Sequence, residues 1–386
     1  MDCFSGSDGR SGASRRAAWR TLAPVNARRF RPGDVIRLRR GCTFGPLRVR
    51  SDGTAERPIT YRAYGPGPAP VIRDPGGGMY GTGVDVTGDY NVVEDLLVRD
   101  VGESGVNMRR GADHNVVRDI EVTGAGLGIA SSGSDNHMTG NVVHDLRMVI
   151  DSPAADDDYG AVCFWIAGPG NEISENQGFD CRAPSDDYGF DGGFVEIWRQ
   201  GDGTSIHHNL AVETNGFLEA GGSGSARDVN VYRNVLIEVH GGLCLHDRGG
   251  FAITVDNLRF EHNTFVSAGG YRVLDCASGL TLSTVIMRNN IFVSGVPIAG
   301  TGAFTHTHNL YRMDDGVPVG YALGAGELLG DPLFADLGHA DLRLGPGSPA
   351  IDAGTVVDGP AAAGDDAPAG AAPDLGAFEY RADPAG

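Results

Sequence analysis

The chain has 386 residues, 41% of them hydrophobic and only 21% charged, with a net charge of −19. That charge repels nucleic acid and other anionic polymers unless metal ions intervene. We therefore expect no nucleic-acid partner, and a neutral or weakly charged ligand fits best. No run approaches the roughly 18 apolar residues that span a membrane, so no membrane partner is expected either. Oligomeric state has no signature here.

Residues 1–75 read as an N-terminal cap with the first coils. Within them, Phe30-Arg31-Pro32-Gly33-Asp34 forms a turn entering a strand at Val35-Ile36-Arg37-Leu38. Pro58-Ile59-Thr60-Tyr61-Arg62-Ala63-Tyr64 reads as another strand before a Pro/Gly turn. Cys3 and Cys42 suit a disulfide in this cap. Cys163, Cys181, Cys244 and Cys276 read as small buried residues or as further pairs, because no spacing is of the zinc type. No signal peptide precedes Asp2, so the numbering is taken to start near a mature N-terminus.

Residues 76–310 hold the main coils. A phrase of one apolar residue, two variable residues and then Asn or Asp recurs at Val92…Asp95, Val116…Asp119, Met138…Asn141, Ile173…Asn176, Ile206…Asn209, Val231…Asn234, Phe260…Asn263 and Ile286…Asn289. The phrase ends advance by 24, 22, 35, 33, 25, 29 and 26 residues. A period of that size with short β-branched runs describes stacked coils of strands. Each coil then has three short strands, the third led by glycine, and the Asn residues stack as a structural ladder. The predicted fold is all-β, a right-handed parallel β-helix (a single-stranded solenoid) in one domain. Residues 311–386 lose the period and read as an irregular closing segment, with a flexible surface loop beginning at Gly359.

Several strings resemble secreted right-handed parallel β-helix proteins of the pectate-lyase-like superfamily. They are Ser5-Gly6-Ser7-Asp8-Gly9 with Trp19-Arg20-Thr21-Leu22, the Pro32-Gly33-Asp34 turn, Pro58-Ile59-Thr60-Tyr61, the ladder phrases, Ser348-Pro349-Ala350-Ile351-Asp352-Ala353-Gly354 and Asp374-Leu375-Gly376-Ala377-Phe378-Glu379. The resemblance covers nearly the whole chain. It implies a secreted, carbohydrate-active protein, but that superfamily includes lyases, hydrolases, epimerases and binding proteins, so the fold alone does not select the activity.

The two long intervals carry related strings, Asp157-Asp158-Tyr159-Gly160 and Asp186-Asp187-Tyr188-Gly189-Phe190-Asp191. Aligning the third strands on their leading glycines places Cys163, Glu196 and Glu219 at one height. Strand alternation then turns Phe194, Glu196 and Trp198 outward, together with Phe217 and Glu219. Adjacent strands lie about 4.8 Å apart, so neighbouring carboxylates would push one pKa up, as acid/base chemistry requires. Glu196, Glu219, Asp187 and Asp191 are the catalytic candidates. Trp165, Trp198, Asp158, Tyr188, Phe217, His246 and Arg248 are the candidates for holding substrate, Trp165 and Trp198 as sugar-stacking platforms.

The expected activity is cleavage or transfer of glycosidic bonds in a polysaccharide or oligosaccharide by paired carboxylates. It requires no cofactor and no metal site is assigned, although the Asp clusters offer oxygen ligands to Ca²⁺. A Ca²⁺-assisted lyase acting on a uronate-containing glycan is the alternative, with Arg199, Arg227 and Arg248 as cations, since the chain has no lysine. A non-catalytic glycan-binding protein is the third reading.

Overall fold

The computed structural model describes residues 1–362 and 367–382. The chain divides into two compact units, Met1–Glu196 and Ile197–Gly386. The boundary falls inside the strand Gly193–Gln200.

In the first unit every coil adds one rung to a parallel ladder. Val35–Arg39 pairs with Ile59–Tyr64, which pairs with Asn91–Arg99, then Val116–Thr123, His137–Thr139 and Glu172–Ser174. A separate sheet runs from Leu47–Val49 through Thr82–Val86, Ser104–Met108 and Leu127–Ser131 to Val162–Ile166, again all parallel. The second unit repeats the plan. Ser205–His207, Asn230–Tyr232, Leu258–Glu261, Val285–Arg288 and Thr305–Thr307 form one ladder. Leu218–Arg227, Leu243–Leu245 and Leu274–Asp275 form the other.

A left-handed corner residue separates the first two strands of a coil, and a ladder asparagine follows it. Glu175, His208, Arg233, His262, Asn289 and His308 all have φ between 52° and 59°. Behind them the buried amides bond along the stack. Asn209 donates to Asn234, Asn234 to Asn263 and Asn290 to Asn309, each at 2.9 Å. The ladder differs from the expected frame at three places. Asp95, Asp119 and Asn289 are corner residues, and the rungs behind them are Leu96, Ile120 and Asn290. A second asparagine ladder, Asn91–Asn115–Asn136, precedes the first strand of each coil and escaped the sequence reading.

The cap is a 3-10 turn, Arg15–Ala17, and a short helix, Ala23–Ala27, that starts with Pro24 near its N-terminus. Cys3–Cys42, Cys163–Cys181 and Cys244–Cys276 are disulfides. At the C-terminal end, three successive corners hold the irregular tail. Arg233 pairs with Glu379 at 3.2 Å, His262 meets the Asp374 carbonyl, and Asn289 donates to the Thr355 carbonyl. Leu344, Ala350 and Leu375 pack there on Ile291 and Leu310. No described helix is long and apolar enough to cross a membrane.

Candidate functional site

In the second unit, the register of the third strands aligns Glu219 with Cys244, and Cys244 with Asp275. Leu218 and Ala220 on either side of Glu219 are buried, and so are Leu243 and Leu245 beside Cys244. Glu219, Cys244 and Asp275 therefore form one outward row. A disulfide ties the middle rung to Cys276, the residue after Asp275. Cys244, His246 and Cys276 come close together, but the disulfide removes both thiolates as metal ligands.

Beyond Leu245 the chain carries His246 onto the same side. Its Nε2 lies 2.7 Å from Glu219 Oε1, both side chains being partly exposed. The hydrogen bond that the imidazole donates to Glu219 raises its pKa, partial burial opposes it, and the charges of Glu219 and Asp247 add to the rise. Asp247 is held in place by Ser278 and Gly279: burial pulls its pKa up, but these backbone N–H donors leave it lowered overall.

An aromatic wall stands next to the pair. Trp198 meets His246 edge-on at 6.4 Å and Phe251 at 5.3 Å, and Phe251 lies 6.0 Å from His246. The Trp198 indole rests on the backbone of Gly221 and Gly222. A Cβ at Gly221 would come within 2.6 Å of the ring, and Gly222 also has φ +81°. Only glycine permits that approach at both positions.

In the first unit, Trp165 is half-buried against a buried apolar cluster of Leu127, Ala130 and Val162, in register with Ala130. Glu196 is partly exposed on its strand, as Trp198 is, between buried Val195 and Ile197. The two inserted strings fold as antiparallel hairpins, Met148–Ile150 with Tyr159–Gly160, and Ala183–Ser185 with Gly189–Asp191. Their aspartates clasp each other. Asp158 accepts hydrogen bonds from Ser152 N, Ser185 Oγ and Asp187 N, and Asp187 accepts from the N–H groups of Asp157 and Asp158. Burial alone would raise the Asp158 pKa, but Ser185 and the backbone donors lower it. Asp191 receives its own neighbour, Gly192 N, at 2.7 Å. Tyr188 is exposed, and Phe190 is exposed with Arg182 over its ring.

Four expectations are corrected here. Phe217 and Phe194 are fully buried, not outward. Phe194 packs on Phe164 at 5.2 Å, so neither ring reaches a ligand at the surface. Cys163 does not share a height with outward residues: it is buried in its disulfide with Cys181, and on its strand the partly exposed residue is Trp165. Asp158 is buried within the loop clasp rather than presented to substrate. For the three positions at the third strands the reason is shared: several residues at the start of the strand are buried in succession, as Phe194 with Val195 and Cys163 with Phe164, so simple alternation fails there. Asp158 is instead drawn in by the donors of the hairpin clasp. Arg248 is exposed, two residues after His246. Asp275 and Phe251 were missed. The repeat of Phe217-Leu218-Glu219 in Val273-Leu274-Asp275 carried the signal for Asp275.

Asp157, Asp158 and Asp187 bring three carboxylates within reach of one ion. Their oxygens suit a hard cation, but Asp158 and Asp187 already accept the backbone donors of the clasp.

No family model and no curated protein matches the sequence. Among solved structures, the chain is similar to pectate lyase Pel9A, at 17% identity and a TM-score of 0.55, covering 97% of this chain and 94% of that one. It is also similar to XylC in complex with xylose, at 11% identity and a TM-score of 0.53, covering 86% of each chain. A GH136 lacto-N-biosidase from Eubacterium ramulus aligns at 14% identity and a TM-score of 0.47, with 85% of this chain spanning 66% of that one. At these identities the likeness is one of fold: the chain is a parallel β-helix similar in fold to pectate lyase Pel9A.

Proposed function

We propose that the protein is a carbohydrate-active enzyme that cleaves glycosidic bonds at the outward row of the second unit. The observation that carries this reading is the 2.7 Å pair of Glu219 and His246 beside the Trp198 wall. His246 orients the Glu219 carboxylate across this contact, where it is placed to serve as the base that activates water. Trp198 and Phe251 offer flat apolar faces on which a sugar ring stacks.

Hydrolysis needs a second carboxyl that protonates the departing oxygen. Asp275 sits two rungs from Glu219, on backbones about 9.5 Å apart given the usual strand spacing. Inverting glycosidases separate their carboxyls by about 6.5–9.5 Å to seat a water between them. Asp275 is accordingly assigned the acid role and Glu219 the base role. Glu196 remains the further carboxylate candidate. The substrate is a neutral or weakly charged glycan, in keeping with a net charge of −19. Three disulfides fit an oxidising, extracellular setting.

Elimination is the competing chemistry, because Pel9A, a pectate lyase, shares the fold over nearly its whole length and Arg248 stands exposed two residues after His246. One assay separates the two. Elimination leaves an unsaturated sugar that absorbs ultraviolet light, whereas hydrolysis leaves products whose anomers are read by NMR. On a glycan panel, Glu219→Gln and Asp275→Asn should each lose about 10²–10⁴-fold in turnover. Wild-type turnover in Glu219→Gln would overturn the assignment.

A further inference from the structure

The charge of this chain is distributed unevenly. Residues 1–50 contain twelve arginines and three aspartates, a net of +9, while the remaining 336 residues carry −28. The three aspartates are committed locally. Asp2 takes Ser5 and Arg39, Asp8 takes Thr21 and the Arg20 N–H, and Asp34 takes the Arg31 N–H. The positive charge is therefore not cancelled inside the cap.

It also converges on a concavity. A cavity of about 760 Å³ is lined by Arg15, Arg28, Arg29, Arg31 and Arg37. All five are exposed. Among the described residues none of them has a carboxylate within ion-pair distance, whereas Arg39 and Arg40 close by are paired with Asp2 and Asp95. Two of the guanidinium groups sit over aromatic rings in the same wall: Arg28 lies 5.2 Å over Trp19 and Arg15 lies 5.4 Å over Tyr64. These contacts limit how far the two guanidinium groups can move, and the N–H edge of a guanidinium matches a planar or tetrahedral oxyanion bidentately.

We infer that this cap cavity is a binding site for an acidic glycan segment, one bearing carboxylate or sulfate groups, separate from the Glu219 row. The finite basic pocket favours a short acidic stretch. A long duplex would have to run on over a surface that carries −28 and would be repelled there. Attachment to an acidic component of a mixed glycan would then leave the row in the second unit to act on neutral sugars. The inference does not depend on the catalytic reading.

The test uses the full chain and three polymers with one backbone: dextran sulfate, carboxymethyl-dextran and plain dextran, with binding followed by calorimetry. Binding to the two charged polymers, absent for plain dextran and weakened steeply by added salt, is expected. Arg31→Glu with Arg37→Glu should weaken it at least tenfold at unchanged Tm, and Glu219→Gln should leave it intact. Equal binding of plain dextran, or unaltered affinity in the doubly substituted protein, would overturn the proposal. So would preferential binding of a DNA oligonucleotide. Concentration-dependent self-association that the two substitutions abolish, with no glycan binding, would assign the basic cavity to the acidic surface of a second copy instead.

Discussion

At the scale of single residues, the chemistry rests on how Glu219 and His246 hold each other. Folding raises the His246 pKa above its ordinary value near 6.5. A group raised in this way contributes stability that is fully present below its unfolded pKa and is lost as pH rises through the folded one. Glu219→Gln removes both the hydrogen bond and the charge that cause the rise. The His246 pKa should therefore fall in this variant, which an NMR titration of the imidazole in both proteins checks. Trp198 offers an independent handle, since its position depends on two glycines. Gly221→Ala should displace the indole and raise KM with little change in kcat, because a stacking platform binds ground state and transition state alike. Sequence patterning exposed Glu219, His246 and Trp198 because each stands out from buried neighbours. It misread Phe194 and Phe217, because burial of successive residues at the start of a strand leaves no compositional trace.

At the scale of elements, the asparagine ladder does most to fix the register of the coils. Asn234 donates to the Ile206 carbonyl and to Asn263, and accepts from the backbone and side-chain amides of Asn209. Each buried group left without a partner costs about 1–3 kcal/mol, so Asn234→Ala should lower Tm by several degrees. Thermal unfolding followed by circular dichroism measures it. The period of this ladder was legible because apolar, corner and rung positions repeat together. Its frame slipped by one at Asp95, Asp119 and Asn289 for a physical reason. A left-handed corner favours Asn and Asp as strongly as an amide rung does, so two adjacent positions call for the same residue types. The aspartate loops were legible as insertions, but their use was not. Asp158 and Asp187 hold the two hairpins to each other, and Asp158→Ala should open both to limited proteolysis, with new cleavage sites appearing in residues 151–160 and 183–191 together.

At the scale of the whole molecule, the cap and the tail close the coils in different ways. The tail is locked by a buried ion pair, Arg233 with Glu379, whose side chains are only 3% and 5% exposed. Removing one partner strands the other charge, so Arg233→Met should destabilise by about 3–5 kcal/mol. Denaturant titration would show this as a shift of the midpoint. The repeat period pointed to the fold class and its loss to the closing segment, yet neither gave a hint that three corner residues clasp the tail, since those contacts join positions 66 to 146 residues apart in sequence.

Each amide rung bonds to the coil before it and the coil after it. A coil is thus exchangeable in the way a bead on a string is. Evolution can lengthen or shorten such a chain by duplicating or deleting whole periods, while changes of a few residues must be absorbed in hairpins such as those at 148–160 and 183–191. The inserted loops of this protein show where such in-between changes have been accommodated, and the counting unit of its sequence is the turn rather than the residue.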